Sequence, residues 1–234
     1  MPPRRDPQRL LTIVDAATEV FARQGYSNAQ MLDVARAAGV SVGTLYNYVE
    51  GKEALLLLCA ESPFGGVAED RPLPVPVLDR SQLMRAVEST LAREIHIVSL
   101  ERALAAPTPG TAVPAELATI VGELFDLLAR TRRAADAMER CAREAPDLAE
   151  LFYRGVRGRL LDELGAYCTR LAGTGELVTK LAPDLCARFV LETTTWWARH
   201  RHRDPEPPPV DEAGARAAAV SLIVGALCGE VATG

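Results

Sequence analysis

Hydroxyl, amide and aromatic side chains are concentrated in one short segment of this chain, SVGTLYNY, residues 41–48. The hydroxyls of Ser41 and Thr44 can bond to phosphate oxygens. The amide of Asn47 can form two hydrogen bonds with the edge of an adenine. These residue types predict contact with nucleic acid more readily than proton transfer, because no acid–base pair accompanies them.

The same segment contains a pattern that marks a nucleophile in some hydrolases. Gly39-Val40-Ser41-Val42-Gly43 matches G-x-S-x-G, in which the serine lies between a strand and a helix. The preceding residues, LDVARAA, are typical of a helix, and no strand pattern surrounds them. The context of the motif is therefore missing, and we expect no enzyme.

Metal and cofactor sites are not predicted either. His200 and His202 stand two apart, and on a helix such residues point to different sides, so they are poorly placed to share one ion. We expect the surrounding run, residues 199–203, to be a solvated cationic end of a helix.

Two short helices joined by a glycine turn are expected to carry the polar segment. Leu32, Val34 and Ala35 favour a first helix, and Gly39 suits its end. Ser41 can cap a second helix. This is a helix-turn-helix, whose second helix can enter the DNA major groove. The stretch GVSVGTLYNYVEGKEAL resembles the signature of TetR-type bacterial transcriptional regulators.

The resemblance and the residue chemistry together imply a DNA-contacting set. Gly43 would allow close backbone approach, and Val42 would press on a thymine methyl. Lys52 resembles the lysine with which this family contacts phosphate. Where the family usually has Thr-Thr, this chain has Ala29 and Gln30, so Asn28 becomes an alternative helix cap. The complete set is Gln30, Ser41, Val42, Gly43, Thr44, Tyr46, Asn47, Tyr48 and Lys52.

Apolar residues recur at helical spacing along almost the whole chain. A helix is expected over residues 8–24, and Pro63–Asp79 reads as a loop with four prolines. One helix is expected from Ser81 through Val98, and another from Pro146 to Leu171. The fold class is therefore all-α, with an N-terminal three-helix helix-turn-helix domain (1–62) and a larger helical effector-binding and dimerisation domain (63–234).

The charge balance limits how DNA could be bound. The net charge is −5, and residues 1–60 contain six Lys/Arg and six Asp/Glu. DNA binding must therefore come from a local surface. Arg4, Arg5 and Arg9 in the N-terminal arm could reach phosphates or could simply be solvated, and the sequence leaves both open.

The five cysteines are widely separated, and none has CxxC spacing. Buried thiols in a reducing cytosol are the simpler interpretation, and a redox-sensing thiol is the alternative. The N-terminus has no apolar core typical of a signal peptide. The longest apolar run, Ala217–Gly229, is too short to span a bilayer. We therefore expect a cytoplasmic protein without membrane contact.

The last two predicted helices are expected to form a subunit interface. The final helix is broadly apolar, and the resemblance implies that both helices pair with a second copy in a four-helix bundle. The candidate interface residues are Trp196, Trp197, Val220, Ile223, Val224 and Leu227. One of the two tryptophans is expected to anchor the interface, while the other faces the core. For an effector pocket the candidates are His96, Phe125 and Tyr153, although a lone histidine such as His96 is more often structural.

Together these features imply a homodimeric TetR-like regulator, a repressor released from a near-palindromic operator in double-stranded DNA by a largely apolar small molecule. The alternative is a helical ligand-binding or scaffold protein that has lost DNA binding, which the neutral first 60 residues leave open.

Overall fold

The computed structural model describes residues 7–65, 71–106 and 112–229, and most of them are helical. This confirms the all-α prediction for the described residues, in which the β-type pairing is an isolated bridge between Val49 and Val75. No helix in these ranges is long and apolar enough to cross a membrane.

The chain divides into two compact units. The first comprises Met1–Glu94 and Arg133–Val156, and the second comprises Ile95–Arg132 and Arg157–Gly234. The predicted boundary after residue 62 falls inside the first unit, and the two-domain assignment stays a prediction.

The first unit contains five α-helices from the N-terminal part of the chain, the end of a later helix and one further short helix. They are α1 (Pro7–Asn28), α2 (Met31–Ala37), α3 (Val42–Tyr46), α4 (Lys52–Glu61), α5 (Arg80–Glu94), the last turns of α7 (Val113–Ala142) and α8 (Pro146–Ala149). The apolar stripe predicted for α1 is buried in the core of this unit, at Leu10, Ile13, Val14, Ala17, Val20 and Phe21.

Helix α4 is enclosed on all sides within the first unit. All four consecutive leucines, Leu55 to Leu58, are buried, as expected for a helix that meets two packing surfaces. The surfaces belong to α1 and α5, since α4 packs against both. On α5 the core residues Leu83 and Val87 complete the enclosure.

The second unit contains the remaining helices. They are α6 (Val98–Ala105), the first part of α7, α9 (Arg159–Thr174), α10 (Pro183–Ala198) and α11 (Glu212–Cys228). Packing in this unit brings α10 against both α9 and α11. A small core joins Phe125 of α7 with Ala198, Ala215 and Ala219, and Trp197 packs against it.

Two helices predicted as continuous are interrupted. The helix expected from Ser81 through Val98 ends at Glu94, and α6 begins at Val98. Between them the carbonyl of Ile95 accepts a hydrogen bond from Arg159, and His96 bonds to Glu101. Hydrogen bonds to side chains therefore take the place of the backbone hydrogen bonds of a continuous helix, which the apolar spacing had predicted.

The helix expected from Pro146 to Leu171 contains a π-helical segment, Glu150–Gly158, between α8 and α9. This segment includes Gly155 and Gly158, and glycine is a poor α-helix former. A local change of helical type is therefore less unfavourable here than in a run of leucine and alanine.

The expected solvated cationic helix end at residues 199–203 is wrong for Arg199 and Arg201, which are each only 6% exposed. Arg201 lies in a 3₁₀ turn, His200–Arg203. Its Nε donates to the carbonyl of Trp197 at 2.7 Å, and its guanidinium also pairs with Glu212 at the start of α11. Arg201 therefore ties the end of α10 to the start of α11.

We predict that Arg201→Ala lowers the free energy of unfolding by about 1–3 kcal/mol, because the hydrogen bonds of the buried guanidinium to the Trp197 carbonyl and to Glu212 are lost. Urea unfolding followed by circular dichroism would measure the change. Arg203→Ala, two residues away at an exposed position, is the matched control and should have a smaller effect. Equal midpoints for the two variants would contradict the assigned role of Arg201.

Candidate nucleic-acid interface

Helices α2 and α3 are joined by a tight turn centred on Gly39. The backbone of Gly39 has φ +66°, a conformation that glycine adopts without steric cost. The N–H of Val40 donates to the carbonyl of Ala35 at 2.9 Å, which closes the end of α2. Four residues, 38–41, separate the end of α2 from the start of α3.

Ser41 caps α3, as the sequence predicted. Its backbone is extended (φ −71°, ψ 154°), and its Oγ accepts a hydrogen bond from the Thr44 N–H at 3.0 Å. The Ser41 and Thr44 hydroxyls are also 2.8 Å apart. Since a helix precedes this serine instead of a strand, the structural context required of a hydrolase nucleophile is absent.

One side of α3 is exposed, and the opposite side is packed. Leu45 is completely buried. The exposed side presents Ser41, Gly43, Tyr46 and Asn47, with the Tyr46 side chain 46% exposed. Val42 and Thr44 are half-buried at its margin. Six of the seven residues from 41 to 47 thus supply a small surface that includes hydroxyl, amide and aromatic groups.

The start of α2 is capped by its own backbone and Asp33. Gln30 is exposed and occupies the N-cap position, and its N–H donates to the Asp33 carboxylate at 3.3 Å. The alternative cap, Asn28, is used differently: its side-chain amide donates to the Gln24 carbonyl at 3.3 Å. Gln30 therefore keeps an accessible side chain at the entrance of the motif.

Tyr48 differs from the expectation of a DNA-facing ring. Its side chain is 5% exposed and belongs to the core of the first unit. Its backbone carbonyl accepts a hydrogen bond from Val75 at 2.8 Å. Packing of the ring is therefore its described role, and DNA contact by Tyr48 stays a prediction without support from its exposure.

Lys52 has partners inside the protein that the sequence did not indicate. Its Nζ donates to the Tyr26 carbonyl at 2.7 Å and lies 3.5 Å from the Ser27 carbonyl. The same Nζ is 4.6 Å from the centre of the Tyr26 ring, a cation–π distance. Lys52 therefore stabilises the end of α1, and its predicted phosphate contact stays untested.

A network of polar side chains surrounds the contact between Lys52 and Tyr26, and the sequence did not predict it. Tyr26 donates its hydroxyl to Glu53 at 2.7 Å, and the Arg80 guanidinium lies 5.2 Å from its ring. Burial and the Glu53 carboxylate raise the pKa of Tyr26 well above its ordinary value. Arg80 in turn forms two hydrogen bonds with Asp147, at 2.6 and 2.7 Å. A tyrosine next to Gly25 was the available signal, but its partners lie far away in sequence.

The cations of the N-terminal arm are described only in part. Arg4 and Arg5 lie outside the described residues, whereas Arg9 is exposed on α1.

The three effector-pocket candidates lie in different surroundings. His96 is exposed and bonds to Glu101 at 2.6 Å, and Phe125 is buried in the small core of the second unit. Tyr153 is exposed in the first unit. The structure does not place Tyr153 in the same unit as the other two, and no pocket is assigned to them.

The predicted interface residues divide into exposed and buried groups. On α10, Trp196 is 36% exposed, while Trp197 packs against the small core. On α11, Val220 is half-buried, but the side chains of Ile223, Val224 and Leu227 are already buried within one chain. The exposed side of α11 instead presents Leu222, Gly225 and Ala226.

The described cysteines are unpaired thiols, and four of the five are buried. Burial raises the pKa of Cys59, of Cys141 and of Cys168 to about 12. A protonated thiol is a weak nucleophile, so these three are poorly suited to redox sensing at neutral pH.

A capped, exposed α3 that follows α2 across a glycine turn defines a helix-turn-helix domain. Residues 13–59 match the family model described as bacterial regulatory proteins, tetR family. The chain therefore carries the N-terminal domain of the tetR family, as the sequence resemblance indicated.

Two curated proteins resemble part of this chain. The chain is 38% identical over 61 residues to the fatty acid metabolism regulator protein of Bacillus subtilis (strain 168), covering 26% of this chain and 31% of that protein. It is 33% identical over 70 residues to the HTH-type transcriptional regulator HbdR of Aromatoleum sp. (strain CIB), covering 30% and 31%. The matches span about a third of the length of these relatives.

Similarity of fold extends over nearly the whole chain. A bacterial regulatory protein in the tetR family from Rhodococcus RHA1 superposes with a TM-score of 0.60 and 17% identity, covering 95% of this chain and 99% of that one. At this identity the comparison concerns the fold alone. It agrees with an N-terminal helix-turn-helix domain followed by a larger helical part.

The contacts of Lys52 generate a test of its role. We predict that Lys52→Met lowers the free energy of unfolding by about 1–2 kcal/mol, since it removes the bond to the Tyr26 carbonyl and the cation–π contact. Chemical denaturation would measure this loss. Lys180→Met, at an exposed position, is the control. Unchanged stability in Lys52→Met would show that the internal contacts are unimportant and leave Lys52 free to act on phosphate.

Proposed function

We propose that this protein is a cytoplasmic, homodimeric DNA-binding transcriptional regulator, and that it acts as a repressor released by a small-molecule effector. One observation carries the DNA-binding part of the proposal: the exposed side of the capped helix α3, within the segment that matches the tetR family model. The repressor role and the release by an effector rest on the family resemblance.

The exposed residues of α3 suit different parts of a DNA major groove. Asn47 ends the helix and would read an adenine edge, while the half-buried Val42 would contact a thymine methyl. Gly43 carries no side chain and permits close approach of the backbone. The hydroxyls of Ser41 and Thr44, with the N-terminus of α3, would bond to phosphate.

Two copies of α3 are needed for a palindromic operator. In a two-fold symmetric dimer the two helices would enter successive major grooves, about 34 Å apart. An effector that favours a different dimer geometry would weaken this match. Its influence is limited by its difference in affinity between the two geometries, commonly about 1–3 kcal/mol.

A helical protein that has lost DNA binding is the second candidate, and two observations favour it. The first 60 residues are electrically neutral, and Lys52 already has partners within the protein.

Binding of purified protein to DNA from upstream of its own gene, at low and then rising salt, separates the two candidate functions. A regulator should bind at low salt and release as salt rises, because bound cations return to the phosphates. Absence of binding at low salt would favour the second candidate.

We predict that Asn47→Ala reduces discrimination at one base pair in each half-site by about 1–3 kcal/mol, because a bidentate contact to adenine is lost. Fluorescence anisotropy with operator DNA and single-base variants would measure it. Asn28→Ala is the matched control: its amide bonds within α1, so base preference should not change. Identical base preferences in Asn47→Ala and the unmodified protein would contradict the assignment.

The dimer proposal is best tested on the exposed side of α11. Leu222 is 52% exposed there, whereas the deeper residues of the same helix are buried within one chain. We predict that Leu222→Glu raises the dimer dissociation constant about 100-fold or more, since two like charges would meet at the two-fold interface. Sedimentation velocity would detect the monomer. Val98→Glu on α6 is the control, because Val98 is also an exposed apolar residue. A dimer that survives Leu222→Glu would place the interface elsewhere.

A further inference from the structure

The turn between α1 and α2 has a backbone that only glycine adopts easily. Gly25 is buried and has φ +78° and ψ 177°, which interrupts α1 before its last turn. A Cβ atom at this position would overlap the carboxylate of Glu144. The absence of a side chain at Gly25 therefore leaves room for a carboxylate that is far away in sequence.

Glu144 binds the backbone of this turn directly. Its Oε2 accepts a hydrogen bond from the Ser27 N–H at 3.1 Å, and the two residues are 117 positions apart. Arg140, one turn earlier in the chain, holds the other carboxylate oxygen at 2.6 Å and donates to the Gln24 carbonyl at 3.4 Å. The Glu144 side chain is 17% exposed. The Ser27 N–H and the Arg140 guanidinium keep the pKa of Glu144 below its ordinary value.

A cation holds the same turn through its carbonyl groups. Lys52 Nζ donates to the Tyr26 carbonyl at 2.7 Å and lies close to the Ser27 carbonyl. The anion of Glu144 thus bonds to an N–H, and the cation of Lys52 bonds to carbonyls. Each charge meets the end of the peptide dipole that has the opposite sign, which favours charge-assisted hydrogen bonds.

The held turn leads immediately into the DNA-contacting segment. Ala29, two residues after Ser27, is buried, and Gln30 caps α2. Rotation of the turn would therefore displace α2 and, across the Gly39 turn, α3. We propose that Glu144 is a positioning residue that fixes the orientation of α2 and α3 for DNA binding. This inference rests on the proposed function, because it assigns Glu144 a part in DNA affinity without contact to DNA.

The direction in which Glu144→Ala changes DNA affinity distinguishes a positioning role from a purely electrostatic effect. Glu144→Ala removes a negative charge, and electrostatics alone would strengthen binding to DNA. Positioning predicts the opposite, a Kd for operator DNA that rises about tenfold, as the loss of a charged hydrogen bond would give. The slope of log affinity against log salt stays the same, because no phosphate contact is removed. Glu144→Gln retains an acceptor for the Ser27 N–H. Its Kd for operator DNA should therefore fall between those of the unmodified protein and Glu144→Ala. Glu139→Ala, which removes a carboxylate paired with Arg143, is the control.

A double-mutant cycle tests the contact itself without DNA. Gly25→Ala lowers the urea midpoint of the unmodified protein through both backbone strain and overlap with Glu144. In the Glu144→Ala background only the strain remains, so the same substitution lowers the midpoint less. Equal decreases in the two backgrounds would overturn the contact.

The outcomes of the DNA experiment are also distinct. If the unmodified protein binds DNA and Glu144→Ala binds equally well or better, the positioning role is wrong while the proposed function stands. If the unmodified protein binds no DNA, the proposed function fails, and the role of Glu144 in DNA binding fails with it. A weaker Glu144→Ala with an unchanged salt slope and a positive cycle supports the inference.

Discussion

Enclosure of α4 holds the first unit together. Every residue from Ala54 to Ala60 is buried, so this helix can exist only inside a shell of other helices. The helices of the DNA-contacting segment are short, seven residues in α2 and five in α3. Helices of this length are not stable alone in water. Their order therefore derives from packing on the core around α4, through residues such as Val34 and Leu45.

The sequence predicted the elements whose causes are local. Ser41 caps α3 because its hydroxyl is one turn from the Thr44 N–H, and a spacing of three residues is visible in the sequence. The stripe of α1 and the glycine turn at Gly39 follow from periodicity and backbone freedom in the same way. The break at Ile95–Ile97 was missed because its partner, Arg159, is 64 residues away.

The candidate site was predictable where exposure follows from helical geometry and unpredictable where distant partners decide it. Leu45 and Tyr46 are neighbours with opposite exposure, as an amphipathic helix requires. The Tyr48 ring was expected to face DNA, but it is buried in the core of the first unit. Lys52 bonds to the Tyr26 carbonyl, a partner that the sequence did not indicate, and its phosphate contact stays a prediction. On α11 the broad apolar face could be recognised, whereas the division between Ile223 inside and Leu222 outside depends on where α10 packs.

The backbone hydrogen bonds of Val75 with Tyr48 and Glu50 limit how the protein can be divided into fragments that fold. The Val75 N–H donates to the Tyr48 carbonyl, and its carbonyl accepts from the Glu50 N–H at 2.9 Å. The segment after residue 71 thus closes the end of α3, α5 completes the shell around α4, and Glu144 supports the Gly25 turn. A fragment that stops at residue 62 would lose all three and expose the leucines of α4 to water. Because residues 133–156 return to this unit from late in the chain, no single cut separates it as one continuous piece.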